Sequence, residues 1–143
     1  MIALIHLIYA SRETEPFSED SLKSLVMKAG ERNGPLGVTG MLLYDRGSFM
    51  QVLEGEESTV DALFQKISED PRHSSVVQII REAIPARQFG TWNMGYGTLR
   101  TEMLKSLGEL DDFYATRRYL EQLNPGRAQK LLKAFCRGRW HVG

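Results

Sequence analysis

The chain has 143 residues, of which 42% are hydrophobic and 25% are charged, and its formal net charge is zero. These values are typical of one soluble globular domain, and a neutral chain has no overall field that would favour nucleic acid or a membrane surface. A single cysteine, Cys136, excludes an intrachain disulfide. With no signal segment and no apolar run long enough to span a bilayer, we expect a cytoplasmic protein without membrane contact.

The chain begins with a predicted strand and a predicted helix. Residues 2–10 are apolar at nearly every position, which is typical of a strand that is buried on both faces. Residues 18–32 predict a helix, because their apolar side chains follow the i, i+3, i+4, i+7 spacing and Ser18 can cap the start. The segment Asn33-Gly34-Pro35 predicts the end of this helix.

A hairpin and a second helix follow. Residues 38–44 and 48–53 read as two strands joined by a tight polar turn that ends in glycine. Residues 59–69 predict a helix with an apolar stripe, and Ser58 with Asp61 resembles a capping box at its start. Pro71 predicts the end of this helix.

The remaining elements define the fold class. Residues 76–84 and 91–97 predict two more strands, which gives the order βαββαββ of a ferredoxin-like α+β fold with one added strand. In this fold both helices cover one face of the sheet. Residues 98–143 predict helices, and we expect them to form a C-terminal cap on the other face of the sheet. The chain is thus predicted to consist of a first domain, residues 1–97, and this helical cap, residues 98–143. The last part of this tail is basic, which is typical of a solvated helix face but would also suit an acidic partner.

One polar side chain, Gln51, stands on an apolar strand face. Strict alternation places it between Phe49 and Leu53, on the side that points toward the core. A buried primary amide costs about 1–3 kcal/mol unless its donors and acceptor find partners. Tyr9 lies on the corresponding face of the first strand, so a phenol and an amide are expected to meet inside the fold.

Further side chains can surround this pair if the two helices leave a slot above the sheet. Asn33 and the corner Asp70-Pro71-Arg72-His73 would supply polar edges, and Leu25 with Ile67 would supply apolar walls. A flat heteroaromatic ligand with donors and acceptors along one edge would satisfy these groups. The spacing leaves a second interpretation open, in which the phenol and the amides bond to one another or to the backbone, and the corner is a helix end followed by a turn.

Other chemistry has little support in the sequence. The three histidines are scattered, no Cys/His spacing matches a zinc site, and neither form of glycine-rich phosphate loop is present. Cys136 has no neighbouring base, so the sequence does not indicate that it is a nucleophile. We therefore expect neither a metal site nor an enzyme.

Several stretches together, in order and spacing, resemble the BLUF family, the sensors of blue light using FAD. They span residues 1 to about 97, and the tail resembles the short, single-domain subgroup. The matching stretches are Leu7-Ile8-Tyr9-Ala10-Ser11, Asn33, Gly37-Val38-Thr39-Gly40-Met41-Leu42-Leu43-Tyr44, Phe49-Met50-Gln51-Val52-Leu53-Glu54-Gly55, Asp70-Pro71-Arg72-His73, Arg87-Gln88-Phe89 and Trp92-Asn93-Met94.

The resemblance implies a non-covalently bound FAD and a role for each matching residue. Tyr9 corresponds to the electron-donating tyrosine, and Gln51 to the glutamine that bridges this phenol to the flavin. The residues that correspond to cofactor-binding positions are Tyr9, Leu25, Asn33, Gln51, Ile67, Arg72 and His73. Trp92 and Met94 correspond to the pair that relays the signal, although both also fit the core of an edge strand. Arg32 is given no role.

The resemblance also implies that light rearranges the hydrogen bonds of Gln51, and that the fifth strand and C-terminal helices carry this change to a downstream effector protein. An exposed apolar sheet face favours a homo-oligomer, either a dimer or a larger assembly. Two alternatives are a ferredoxin-like regulatory or interaction module without a chromophore, and a small enzyme that uses Tyr9 or His73 as a general acid.

Overall fold

The computed structural model describes residues 3–89, 95–98 and 127–136. Trp92, Met94 and most of the predicted C-terminal cap lie outside the described residues. In chain order the helices and strands are β1 (Leu4–Glu13), α1 (Glu19–Leu36), β2 (Thr39–Asp45), β3 (Ser48–Glu56), α2 (Glu57–Ser68), β4 (His73–Ala83), β5 (Gly95–Thr98) and α3 (Arg127–Cys136).

The strands form one sheet in the order β4-β1-β3-β2-β5. The neighbours from β4 to β2 pair in antiparallel fashion, whereas β5 runs parallel to β2 at the edge of the sheet. This arrangement confirms the predicted ferredoxin-like α+β fold with an added strand. Because β1 and β3 occupy the centre of the sheet, side chains from both can meet over its middle.

The two faces of the sheet bury different sets of side chains. On one face, Tyr9 and Leu53 pack with Val60 and Leu63 of α2, and Leu42 packs with Leu22 of α1. This agrees with the predicted placement of both helices on one side.

The opposite face is covered by α3. Ile8 of β1 and Val52 of β3 pack there with Leu132 and Phe135 of α3, and both α3 side chains are fully buried. The described part of the C-terminal region therefore lies where the cap was predicted, while the boundary between residues 97 and 98 remains a prediction.

The first helix is longer than the sequence predicts. Instead of ending at Asn33-Gly34-Pro35, α1 continues to Leu36 with Pro35 inside its last turn, and Gly37 caps it in the left-handed conformation at φ 68°. The N–H groups of Gly37 and Val38 donate to the carbonyls of Gly34 and Asn33, at 3.1 and 3.0 Å. This is the hydrogen-bond pattern of a Schellman motif, in which glycine avoids the steric cost of positive φ.

The predicted capping box of the second helix is wrong. The N-cap of α2 is Glu56, which makes no side-chain capping hydrogen bond, and the Ser58 hydroxyl donates to the Glu56 carboxylate at 3.1 Å. Asp61 instead accepts from Arg81 of β4, at 2.9 Å from its Nε. A tertiary ion pair therefore takes the carboxylate that local spacing assigned to the cap.

Candidate functional site

The centre of the site is a hydrogen bond between the two central strands. Tyr9 and Gln51 are directly opposite each other in the β1–β3 register, and the Tyr9 hydroxyl donates to the Gln51 Oε1. Their exposed fractions are only 3% and 5%. The amide that stands out in the sequence thus has a phenol as one partner, and both side chains point toward the helices.

A cleft lies against this pair, between α1 and the end of α2. Its empty volume is about 500 Å³, and it is partly open to solvent. The lining residues are Tyr9, Phe17, Leu25, Ala29, Arg32, Leu42, Phe49, Gln51, Ile67, Asp70, Arg72 and His73. Small-molecule sites typically combine apolar walls with a few polar groups, as this cleft does.

The walls and the floor of the cleft differ in chemistry. Leu25 of α1 and Ile67 near the end of α2 supply aliphatic walls, and Phe49 extends the apolar surface beside Gln51. The floor holds the phenol and the carboxamide. The structure thus brings together five predicted site residues with Tyr9: Leu25, Gln51, Ile67, Arg72 and His73.

The environment of Tyr9 keeps its hydroxyl protonated. Burial raises the pKa of Tyr9 far above its ordinary value, Arg32 partly offsets this rise, and Asp70 adds to it. The Tyr9 ring also packs against Phe64 at a centroid distance of 5.4 Å and lies roughly perpendicular to the His73 ring at a centroid distance of 6.1 Å. Tyr9 is therefore a fixed, neutral hydrogen-bond donor across the physiological pH range.

His73 is held by hydrogen bonds on both ring nitrogens. Its Nε2 lies 2.6 Å from the carbonyl oxygen of Ile67, and its Nδ1 lies 2.8 Å from the Ser11 hydroxyl. Because a carbonyl can only accept, Nε2 carries a proton, and Nδ1 shares the second hydrogen bond with the Ser11 hydroxyl. These two bonds fix the orientation of the His73 ring, which lines the cleft.

Charged residues occur where the corner after α2 meets the cleft. Arg72 donates through Nε to both carboxylate oxygens of Asp70, each at 3.0 Å. These hydrogen bonds hold the pKa of Asp70 below its usual range and raise the pKa of Arg72. The corner Asp70-Pro71-Arg72-His73 is thus both a turn stabilised by its own ion pair and part of the cleft lining.

Arg32 is a cleft residue that the sequence reading missed. Its Nε donates to the Asn33 Oδ1 at 3.1 Å, and burial lowers the pKa of Arg32, with Arg72 contributing to the decrease. The available signal was helical spacing, because Leu25, Ala29 and Arg32 follow i, i+4, i+7 along one side of α1.

Asn33 is fully buried but is not among the residues that line the cleft. Its Oδ1 accepts from Arg32, which does line the cleft, and direct contact of Asn33 with a ligand remains a prediction. The predicted relay residues Trp92 and Met94 lie outside the described residues.

No group of three or more metal-ligating side chains occurs in the described ranges. Across those ranges no helix is both long and apolar enough to cross a membrane.

Comparison with known proteins agrees with this geometry. A family model described as BLUF, sensors of blue-light using FAD, matches residues 4–95. The photoactivated adenylate cyclase subunit beta of Euglena longa is 37% identical over 110 residues, which cover 76% of this chain and 13% of that protein. The chain spans only 9–24% of the length of the first three curated relatives that it matches.

Solved structures show the same fold. Klebsiella pneumoniae BlrP1, in a manganese/cy-diGMP complex, aligns with a TM-score of 0.75 and 36% identity over 93% of this chain and 32% of that chain. The dark-state structure of the BLUF protein BlrB aligns with a TM-score of 0.65 and 32% identity over 84% of this chain and 96% of that chain.

Proposed function

The chain belongs to the BLUF family, the sensors of blue light using FAD, and on this premise we propose that it is a blue-light photoreceptor that acts by rearranging the hydrogen bonds of Gln51. The observation that carries the proposal is the Tyr9–Gln51 pair at the floor of a cleft between two helices. A direct hydrogen bond between the Tyr9 phenol and the Gln51 amide would satisfy these two groups without a ligand. It would not account for the cleft beside them.

The side chains that line the cleft suit the family's cofactor. A flat ring system needs apolar walls on its two faces, which Leu25 and Ile67 can supply from different helices. It also needs polar partners at its edge, which Gln51, Arg32 and Arg72 can supply. When bound, FAD would supply absorption of blue light and an excited ring that takes up an electron and later returns it.

Tyr9 and Gln51 would then act together. The Tyr9 phenol gives up an electron and its hydroxyl proton, which passes to the Gln51 oxygen that accepts its hydrogen bond. The electron and proton later return, so Tyr9 is restored and no net redox change remains. Because a carboxamide has a donor end and an acceptor end, rotation or tautomerisation of Gln51 re-pairs its neighbours and leaves a lasting change.

The changed hydrogen bonds would bias the structure beyond the cleft. We propose that the fifth strand, with Trp92 and Met94, passes the change to the C-terminal helices as a population shift of about 1–3 kcal/mol. An effector protein would receive the signal, and a cyclic-nucleotide enzyme is one candidate class, given the cyclase subunit among the relatives. We also propose that the receptor works as a homo-oligomer in the cytoplasm. Because α3 covers the sheet face that was expected to be exposed, the contact between copies would lie elsewhere.

A spectrum tests the photoreceptor function directly. Purified protein reconstituted with FAD should show flavin bands, and blue light should move these bands reversibly to longer wavelength. Protein that takes up no FAD would instead favour the module without a chromophore. Bound FAD without a reversible shift would contradict the proposed photochemistry, and light-independent turnover of an added substrate would favour an enzyme.

The phosphate-bearing tail of FAD would lie in a second groove that continues along the two helices. This groove is open to solvent and shares Arg32 with the cleft, and its charged lining residues are Arg32 and Lys66. Within the described part of the chain, the ammonium group of Lys66 makes no hydrogen bond or ion pair. A phosphate would therefore meet two cations and no carboxylate among the lining side chains.

Lys66→Gln is expected to weaken binding of FAD by about 2- to 5-fold, which is the size of one solvent-exposed ion pair. Binding of riboflavin, which lacks phosphate, should be unchanged. Titration of the flavin-free protein with each compound, followed by quenching of flavin fluorescence, measures both affinities. Lys23→Gln is the matched control, because Lys23 is exposed on α1 and lines neither groove. Equal weakening of FAD and riboflavin by Lys66→Gln would contradict this placement of the tail.

A further inference from the structure

Residues of three family-like stretches that do not line the cleft meet at one buried carboxylate. They contribute Thr39, Glu54 and the segment Arg87-Gln88-Phe89, which come from β2, β3 and the connection after β4. Glu54 is fully buried and lies on the face of β3 opposite Gln51, three residues further along the same strand. The cluster therefore lies on the α3 side of the sheet.

The Glu54 carboxylate accepts three hydrogen bonds. The N–H of Gln88 donates to Oε2 at 2.6 Å, and the N–H of Phe89 and the hydroxyl of Thr39 donate to Oε1 at 3.0 and 2.9 Å. Two successive backbone N–H groups of the connection are thus held by one side chain. Since a buried carboxylate without partners would be very costly, these bonds strongly fix the position of the connection.

Arg87 closes the same cluster from the other side. Its Nη1 donates to the Thr39 hydroxyl at 2.9 Å and to the Glu54 backbone carbonyl at 3.1 Å. Its Nη2 donates to the carbonyl of Gly37, the residue that caps α1, at 2.7 Å. The cluster therefore joins β3, the start of β2, the end of α1 and the connection into one hydrogen-bonded unit.

Phe89 links this unit to the C-terminal helix. Its side chain is fully buried in the cluster that contains Leu132 and Phe135 of α3. Its N–H is one of the two that Glu54 holds, so the position of the Phe89 ring depends on the carboxylate. A continuous path of contacts thus leads from β3, which carries Gln51, through Glu54 and Phe89 to α3.

We propose that Glu54 is a positioning residue that couples β3 to the C-terminal helix by holding the backbone of Gln88 and Phe89. The coupling rests on the proposed photoreceptor function, whereas the positioning does not depend on light. This route to α3 runs through the connection before the fifth strand and does not use Trp92 or Met94. Thr39 and Arg87 serve as supports of the carboxylate.

Glu54→Gln tests both parts of the proposal. Glutamine keeps the size of the side chain but has one acceptor oxygen, so its NH₂ group must face an N–H donor. In the dark, hydrogen exchange at the amides of Gln88 and Phe89 should rise by about tenfold or more. Bound FAD and the light-induced red shift should stay as in the wild type, because Glu54 does not line the cleft. The light-minus-dark difference in exchange over residues 127–136, present in the wild type, should be lost.

Glu56→Gln is the matched control, because Glu56 ends the same strand with an exposed side chain. All measurements are made well below the unfolding midpoint of each variant. Should Glu54→Gln fail to fold, Thr39→Val removes one bond to the carboxylate, together with the bond from Arg87 to the Thr39 hydroxyl, and should produce the same pattern to a smaller degree.

Four results would overturn the proposal. They are unchanged dark exchange at Gln88 and Phe89, a wild-type light response of α3 in the variant, no light response of α3 in the wild type, or loss of the red shift together with the α3 response. Wild-type protein that binds FAD but shows no red shift would instead refute the photoreceptor function. The dark exchange would then still decide the positioning role.

Discussion

Replacing Gln51 with leucine is expected to leave the cofactor bound and to abolish the reversible red shift under blue light. Leucine has a similar size and would join Phe49 and Leu53 on the same apolar face, so the walls of the cleft should persist. The variant loses the group whose donor and acceptor ends re-pair, and with it the lasting change after illumination. The Tyr9 hydroxyl would lose its partner, at a cost of about 1–3 kcal/mol in the free energy of unfolding.

Absorption spectra before and after illumination measure this effect, and the ratio of flavin to protein absorbance measures occupancy. Gln78→Leu is the matched control, since Gln78 lies opposite Tyr9 on the other neighbouring strand but is exposed. The control should keep the full shift. A shift of normal size in Gln51→Leu would show that another group stores the light-induced change.

The sheet could be predicted because each strand carries a local signal. Alternation along β3 assigns Phe49 and Leu53 to the core, and the apolar run of β1 indicates burial on both faces. The ends of the helices were harder to predict, because several local signals for a helix end compete there. Asn33-Gly34-Pro35 resembles a stop, but Gly37 can adopt positive φ two residues after Pro35, and the chain uses that later position.

The site was predictable where one residue contradicts its own pattern. Gln51 is polar in an apolar row, so its burial could be inferred before any partner was known. Arg32 is a polar residue near the end of a helix, which is ordinary, and its place in the cleft depends on how α1 packs. The role of Glu54 was equally hard to predict, because its hydrogen-bond partners lie 15, 34 and 35 residues away along the chain. Such long-range partners leave no local signal in a single sequence.

Replacing Tyr9 with phenylalanine is expected to block the normal photocycle while the flavin stays bound. Phenylalanine keeps the ring that packs against Phe64 and His73, so the change removes the hydroxyl and its hydrogen bond to Gln51. A phenyl ring is harder to oxidise than a phenol and has no proton to release with the electron. Flash illumination followed by absorption should therefore show no normal red-shifted state.

Tyr44→Phe provides the same chemical change at another buried position of the sheet. Tyr44 is 2% exposed, and its hydroxyl donates to the Glu13 Oε2 at 2.8 Å, away from Gln51. This control should lose about 0.5–1.5 kcal/mol of stability and retain the photocycle. A normal photocycle in Tyr9→Phe would exclude Tyr9 as the sole donor.

Because burial raises the pKa of Tyr9, the wild-type phenol stays protonated well above neutral pH. The size of the red shift should therefore not change as the pH rises through the ordinary pKa of tyrosine, provided that the protein remains folded.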